Sequence, residues 1–236
     1  MKSGRRIALL IVDYLQSDPS LVPLAQDDKI TMAKIKICGI TNLSDAQAAS
    51  QLGADAVGFI FAKSPRRISP SKAGKIAASL PPFISKVGVF VNEKSSRVNK
   101  IAKECRLDYV QLHGEESPEY VKKIKLPVIK ALRIKDRSTL RQIKKLKVEA
   151  LLLDTYEKGR RGGTGKTFNW NIAKAAKKFG IPVILSGGLT PGNVSRAIKK
   201  VKPYAVDASS GVELYPGKKS IMKLKKFIKR AISAKP

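Results

Sequence analysis

KICGIT (residues 36–41) joins a strand to a turn and the turn to a helix, and the rest of the chain repeats that unit. Ile35 and Ile37 alternate with Lys34 and Lys36, the period of a strand, and the run ends on Cys38. Gly39 follows, then Thr41, Asn42 and Ser44, side chains suited to opening a helix. A thiol is thereby carried to the C-terminal end of a strand beside a glycine, where a ligand can approach it. The alternative is a thiol that serves only as a small buried apolar group, because reactivity requires a lowered pKa.

Working outward, short β-rich runs fall at residues 35–38, 56–61, 86–91, 109–112, 128–131, 150–154, 183–186 and 204–207. Amphipathic runs follow them at 44–52, 70–80, 95–106, 117–124, 137–146, 169–179, 190–200 and 219–232. Runs such as AVGFIF, VGVFV and ALLLD are nearly all apolar, as expected of parallel strands covered on both faces. This alternation predicts an α/β fold, a (β/α)8 TIM barrel built as a single domain. An open doubly wound sheet is the competing architecture, but nothing marks a reversal of strand order. Ile221, Leu224, Phe227 or Ile228, and Ala231 form the expected apolar face of the last helix. Pro70 and Pro191 suit first helical turns, and Gly53 and Gly180 suit helix ends.

The chain has 236 residues, 43% of them hydrophobic, enough for a sizeable core. Its two cysteines give no disulfide framework and point to a reducing, cytoplasmic setting. No apolar run approaches the ~18 residues that span a bilayer, so no membrane partner is expected. The net charge of +29 attracts anions, yet aromatics are only 6% and lysines are spread over nearly every expected helix. That pattern describes solvated helix faces, with no specific nucleic-acid partner.

Residues 1–31 read as a short N-terminal extension, and residues 32–236 as the catalytic barrel. The apolar run 7–12 is short for a signal peptide and lacks a small-residue cleavage site. Met32, directly before the first strand, is a candidate start. Detection of peptides from residues 1–31 in the native protein would refute that reading.

In a barrel the reactive face is the ring of C-terminal strand ends. Here those ends carry Cys38-Gly39, the loop FAKSPRRIS, Asn92-Glu93, Gln111-Leu112-His113-Gly114-Glu115, Arg133, Asp154-Thr155, Ser186-Gly187-Gly188 and Asp207-Ala208-Ser209-Ser210-Gly211. SGGLTPGN and SSGVE, at adjacent ends, suit an anion cradle of backbone N–H groups, with Thr190 as a candidate cap. Glycines serving only tight turns are the alternative. GRRGGTGKT (residues 159–167) fails the P-loop spacing, because Arg160 stands where glycine is required, and reads as a glycine-rich lid. Asp154 ends an apolar strand, where an acid must be solvated, paired or used. With Cys38 it makes a candidate acid/base pair, provided that the thiol is lowered from about 8.5 and the carboxyl raised from about 4. His113 is the sole histidine, and with no cysteine cluster no metal site is expected.

KICGIT, GADAVGFIF, SPRRISP, VGVFVNE, VQLHGEE, LLLDT, GGTGKTFNW, LSGGLTPGNV and VDASSGVE resemble, in order, the sequence blocks of the phosphoribosylanthranilate isomerase family, over about residues 34–230. The resemblance implies a (β/α)8 barrel that isomerises a phosphorylated aminoaldose in tryptophan biosynthesis, with no cofactor, as a monomer or homodimer. It implies Asp154 as general acid and Cys38 as general base. Arg66 would hold the anthranilate carboxylate, with Arg67 a second candidate. Gly187, Gly188, Ser210 and Gly211 would grip the phosphate, and His113 would line the substrate site. A histidine-pathway isomerase would use paired aspartates, against Cys38 here, and indoleglycerol phosphate synthase a catalytic lysine.

Overall fold

The computed structural model describes residues 32–156 and 167–234. The expected extension, residues 1–31, and most of the expected lid, residues 159–166, lie outside the described residues. Among the described residues, strands β1 (Lys34–Cys38), β2 (Ala56–Ile60), β3 (Ser85–Phe90), β4 (Tyr109–Leu112), β5 (Val128–Ile134), β6 (Ala150–Thr155), β7 (Val183–Leu185) and β8 (Ala205–Ala208) form a closed barrel. Neighbours pair in parallel in chain order, and β8 closes the ring on β1 with Ile35 opposite Val206.

The connecting helices are α1 (Leu43–Gln51), α2 (Pro70–Ala78), α3 (Ser95–Glu104), α4 (Pro118–Val121), α5 (Trp170–Ala176), α6 (Val194–Val201) and α7 (Ile221–Ile232). Side-chain oxygens of Asn42, Ser69, Ser117 and Ser220 cap α1, α2, α4 and α7 by accepting backbone N–H groups of the first turn. Pro70 opens α2 as expected, and Gly180 adopts the left-handed conformation (φ 73°) beyond the short 3-10 turn that follows α5.

Several expected helices differ in type or extent. Residues 137–146 form a 3-10 helix, Arg137–Lys145, because its buried side chains, Leu140 and Ile143, recur every third residue. The fourth helix is one turn long, and only Val121 is buried on it. The helix expected at residues 190–200, α6, starts at Val194. Asn193 folds back there, accepting the Thr190 N–H (2.8 Å) and donating to Gly188 O (2.9 Å), so Pro191 occupies a turn. Thr190 supplies a turn carbonyl to Asn193 and Val194, and its Oγ1 accepts the Gly192 N–H (3.2 Å), so its side chain caps the turn before the helix while Asn193 holds the N-cap position. Ile221, expected on the buried face of α7, is half exposed. A small hairpin, β9 (Glu213–Tyr215) with β10 (Lys218–Lys219), stands between β8 and α7 and was not expected.

Apolar side chains pack in two places. The larger core lies between the barrel and its helices and includes Ile35, Ile37, Val57, Phe59, Leu151, Leu153, Leu224 and Phe227. A smaller one, Val87, Ile129, Ala131, Ala150, Leu152, Ile184 and Ala205, comes from the opposite face of the same strands and fills the barrel interior.

Candidate active site

Side chains alternate along a strand, so each inward row can be followed upward from the interior core. The row on β6 is Ala150, Leu152, Asp154; on β7 it is Ile184, Ser186; on β8 it is Ala205, Asp207, Ser209. On β4 the row climbs from Tyr109 through Gln111 to His113, and on β1 from Lys36 to Cys38. The apolar floor thus gives way to polar groups at the C-terminal mouth. There a cavity of about 890 Å³ is lined by Cys38, Arg66, His113, Asp154, Gly187, Gly188, Ser210 and Gly211 together with Arg67, Gln111, Ser186 and Asp207. Every site residue named from the sequence borders this one space.

Cys38 is 5% exposed and lies opposite Gly58 in the β1–β2 pairing. A Cβ on Gly58 would stand 2.7 Å from the Cys38 sulfur, so the glycine makes room for the thiol. Burial, with the Asp207 carboxylate, pushes the thiol above its usual value, against the pull of the Lys36 and Lys219 ammonium groups. The lowered thiol that the sequence reading set as a condition for a base is not supplied by these surroundings: desolvation outweighs the nearby cations.

Three lysines are buried among the described residues, each against a carboxylate. Lys36 Nζ lies 2.7 Å from Asp207 Oδ1, and Ser186 Oγ donates to Asp207 Oδ2 at 3.1 Å. Although burial works against it, Asp207 and Cys38 hold the Lys36 ammonium above its usual value. Lys219 Nζ donates to Cys38 O (2.6 Å), Ser209 O (3.2 Å) and Glu213 Oε1 (3.0 Å). Burial lowers its pKa in spite of Glu213. Lys130 pairs with Glu116 at 2.8 Å and braces the loop after β4.

Arg66 reaches the cavity from the loop after β2, and Glu213 holds it in a fork. Nε donates at 2.8 and 3.1 Å and Nη2 at 2.7 Å, leaving the Nη1 edge outside the fork. Burial opposes ionisation of Glu213, but Arg66 and Lys219 hold its carboxyl below the usual range. Glu213 therefore ties the Arg66 loop to the lysine that grips the end of β1.

Opposite, Asp154 Oδ1 accepts the Thr155 N–H at 2.8 Å, and Oδ2 is 3.3 Å from His113 Nε2. That separation is within ion-pair reach, but its angle falls short of a hydrogen bond. Gln111 Nε2 is 3.1 Å from His113 Nδ1; when the amide donates there, the imidazole proton sits on Nε2, facing Asp154. On the third side, Gly187 (φ 81°) and Gly188 (φ 63°) turn the chain after β7. Their N–H groups have no acceptor among the described residues. Gly211 packs against the Leu189 carbonyl, joining the loops after β7 and β8 into one anion-accepting rim.

Lys36, Lys219 and Glu213 were not singled out from the sequence, and Asp207 was noted only as the end of a strand. A signal was present for Lys36: it has the parity of Cys38, so a strand that points the thiol inward points this lysine inward too. Nothing local marks Lys219 and Glu213, because their hairpin meets Cys38 and Arg66 only in the fold.

Among the described residues no helix is long and apolar enough to cross a membrane, and no cluster of histidine, cysteine and carboxylate side chains could hold a metal ion. A family profile described as N-(5'phosphoribosyl)anthranilate (PRA) isomerase matches residues 35–230. The N-(5'-phosphoribosyl)anthranilate isomerase of Geobacter sulfurreducens is 55% identical over 201 residues, 85% of this chain and 98% of that protein. The crystal structure of phosphoribosyl anthranilate isomerase from Thermotoga maritima superposes with a TM-score of 0.79 at 45% identity, covering 85% of this chain and 98% of its own. A phosphoribosyl anthranilate isomerase in complex with reduced 1-(o-carboxyphenylamino)-1-deoxyribulose 5-phosphate gives 0.76 at 43% identity, with the same coverage. A thiamine phosphate pyrophosphorylase from Pyrococcus furiosus, at 15% identity and a TM-score of 0.62, shares the fold alone.

Proposed function

This chain belongs to the N-(5'-phosphoribosyl)anthranilate isomerase family, and from that premise we propose how its cavity carries the reaction. The protein catalyses the Amadori rearrangement of N-(5-phosphoribosyl)anthranilate to 1-(2-carboxyphenylamino)-1-deoxyribulose 5-phosphate, a step of tryptophan biosynthesis.

The Asp154 carboxyl gives its proton to the furanose ring oxygen. The C1–O bond breaks as the anilino nitrogen lone pair forms an iminium. The Cys38 thiolate takes the C2 proton, and the C–H electrons flow into the iminium to give an enolamine, which tautomerises to the ketone. The iminium is the electron sink, so the chemistry calls for no cofactor. Ring opening also places positive charge beside a thiol that burial holds protonated, which favours the thiolate when it is needed. His113, facing Asp154, orients the acid. Arg66 offers its free edge to the anthranilate carboxylate, while Gly187, Gly188, Ser210 and Gly211 take the phosphate.

One observation carries this reading: thiol, carboxyl, guanidinium and glycine N–H groups with no acceptor among the described residues border a single space of about 890 Å³, within the ordinary range for a small-molecule site. Residues 32–236 act as the catalytic barrel and residues 1–31 as an addition to it, supported by a family match that begins at residue 35. The two unbridged cysteines suit a cytoplasmic enzyme, and the unit is a monomer or a homodimer. A crystal structure with the reduced product analogue tests the assignments. The phosphate should sit on the loops after β7 and β8 and the carboxylate on Arg66, with the sugar between Cys38 and Asp154. A ligand bound in the reverse sense would overturn them.

A further inference from the structure

The interior of such a barrel is ordinarily packed with branched apolar side chains, yet here Lys36 and Asp207 meet as a full ion pair directly beneath Cys38. Lys36 is 3% exposed and Asp207 6%. Exchanging such a pair for apolar side chains is often neutral or stabilising, so stability alone does not account for it. The reaction as derived above uses neither residue.

Their placement is specific. Lys36 precedes Cys38 by two residues on β1, so both side chains enter the barrel from the same face, one layer apart. Lys36 Nζ donates to Asp207 Oδ1 at 2.7 Å, and its positive charge pulls the Cys38 thiol down, against the burial that raises it. Ser186 Oγ donates to the other Asp207 oxygen, and Asp207, Ser186 and Cys38 all line the cavity.

Other charged groups face the cavity from the neighbouring elements. From β10, Lys219 is bound to the Cys38 carbonyl, Ser209 O and Glu213. From the loop after β2, Arg66 is forked on Glu213, while Lys63 and Arg67 line the cavity. Glu93 on the loop after β3, His113 on β4 and Asp154 on β6 line the remaining sides. Lys36 is thus the cation placed below the thiol with a single counter-ion.

We propose that Lys36 and Asp207 are positioning residues for the catalytic base: the Lys36 ammonium holds the Cys38 thiolate, and the Asp207 carboxylate limits how much of that charge the sulfur receives. The proposal rests on Cys38 being the base. It also explains why this lysine stays charged in the interior: the pair is neutral while the thiol is protonated, and the ammonium is available when the proton leaves.

The test is alkylation of Cys38 by iodoacetamide across a pH series, read by mass spectrometry of the Cys38 peptide in the whole protein. Cys105, whose thiol burial pushes up to about 11, is the internal control. Lys36→Met should move the apparent Cys38 pKa up by about 1–3 units, and Asp207→Asn should move it down by about one unit, the scale of a charge within a few ångströms. Lys36→Met should also lower kcat near neutral pH at nearly constant KM. A merely structural role predicts no shifts of opposite sign. An unmoved profile in Lys36→Met, or shifts of the same sign in both variants, would overturn the proposal. Should Lys36→Met not fold, Asp207→Asn decides alone, and an unchanged or raised pKa refutes it. Shifts as expected alongside normal turnover by Cys38→Ala would leave the pair's effect on the thiol but remove Cys38 as the base, and with it the catalytic role proposed for the pair.

Discussion

Gly58→Ala tests whether the reaction depends on where the Cys38 sulfur sits. The added Cβ would stand 2.7 Å from Sγ, 3.1 Å from the Cys38 Cα and 3.2 Å from its Cβ. Comfortable contacts of this kind are about 3.5–4.0 Å, so sulfur and methyl must separate by roughly 1 Å. The backbone gives little help, because Gly39 and Ile40 both donate to Gly58 O, at 2.9 and 3.0 Å, and the strands are locked in register. The thiol must therefore rotate out of its place over the cavity. A misplacement near 1 Å can cost about 10²-fold in rate, and overpacking a filled site costs about 1–3 kcal/mol in stability. Steady-state turnover of freshly formed phosphoribosylanthranilate, followed by fluorescence, reads the first, and thermal unfolding reads the second. Competition by inorganic phosphate should be unchanged, since its loops follow β7 and β8. A folded Gly58→Ala protein with undiminished kcat would refute the reasoning.

Glu213→Gln removes the charge shared by Arg66 and Lys219, and should raise KM and lower stability by roughly 3 kcal/mol, the scale of a broken buried pair; steady-state kinetics and denaturant titration measure both. Because the folded Glu213 pKa lies below the usual 4.5, its contribution is present above that value and lost as pH falls through the folded pKa. The acid limb of the stability profile should accordingly be shallower in the variant, and an unchanged limb would contradict the assignment. Gly211→Ala would overlap the Leu189 carbonyl and force the two phosphate loops apart. It should weaken inorganic phosphate inhibition by about tenfold or more, the worth of one charge-assisted hydrogen bond, and unaltered inhibition would remove the loop from the phosphate site.

The alternation of apolar runs made the barrel legible, because parallel strands covered on both sides leave a strong local signature in AVGFIF or ALLLD. Helix type was less so. Residues 137–146 carry a helical composition, but only their three-residue spacing of Leu140 and Ile143 told of the tighter helix. Cys38, Asp154 and the paired glycine loops stood out because each ends a strand. The charges that govern them were harder to see. Lys36 looks in one dimension like any of the many surface lysines, and its pairing with Asp207 spans 171 residues. Glu213 and Lys219 depend on a hairpin whose partners lie at the far end of the chain, so no window of sequence contains the contact.

The most direct test of the account is the kcat of Cys38→Ala and Asp154→Ala with freshly formed substrate, both proteins being shown to fold and to bind phosphate. Loss of a general acid or base predicts a fall of at least about 10²-fold in each. Turnover near the unaltered rate in either variant would contradict a mechanism in which this thiol and this carboxyl act across one sugar.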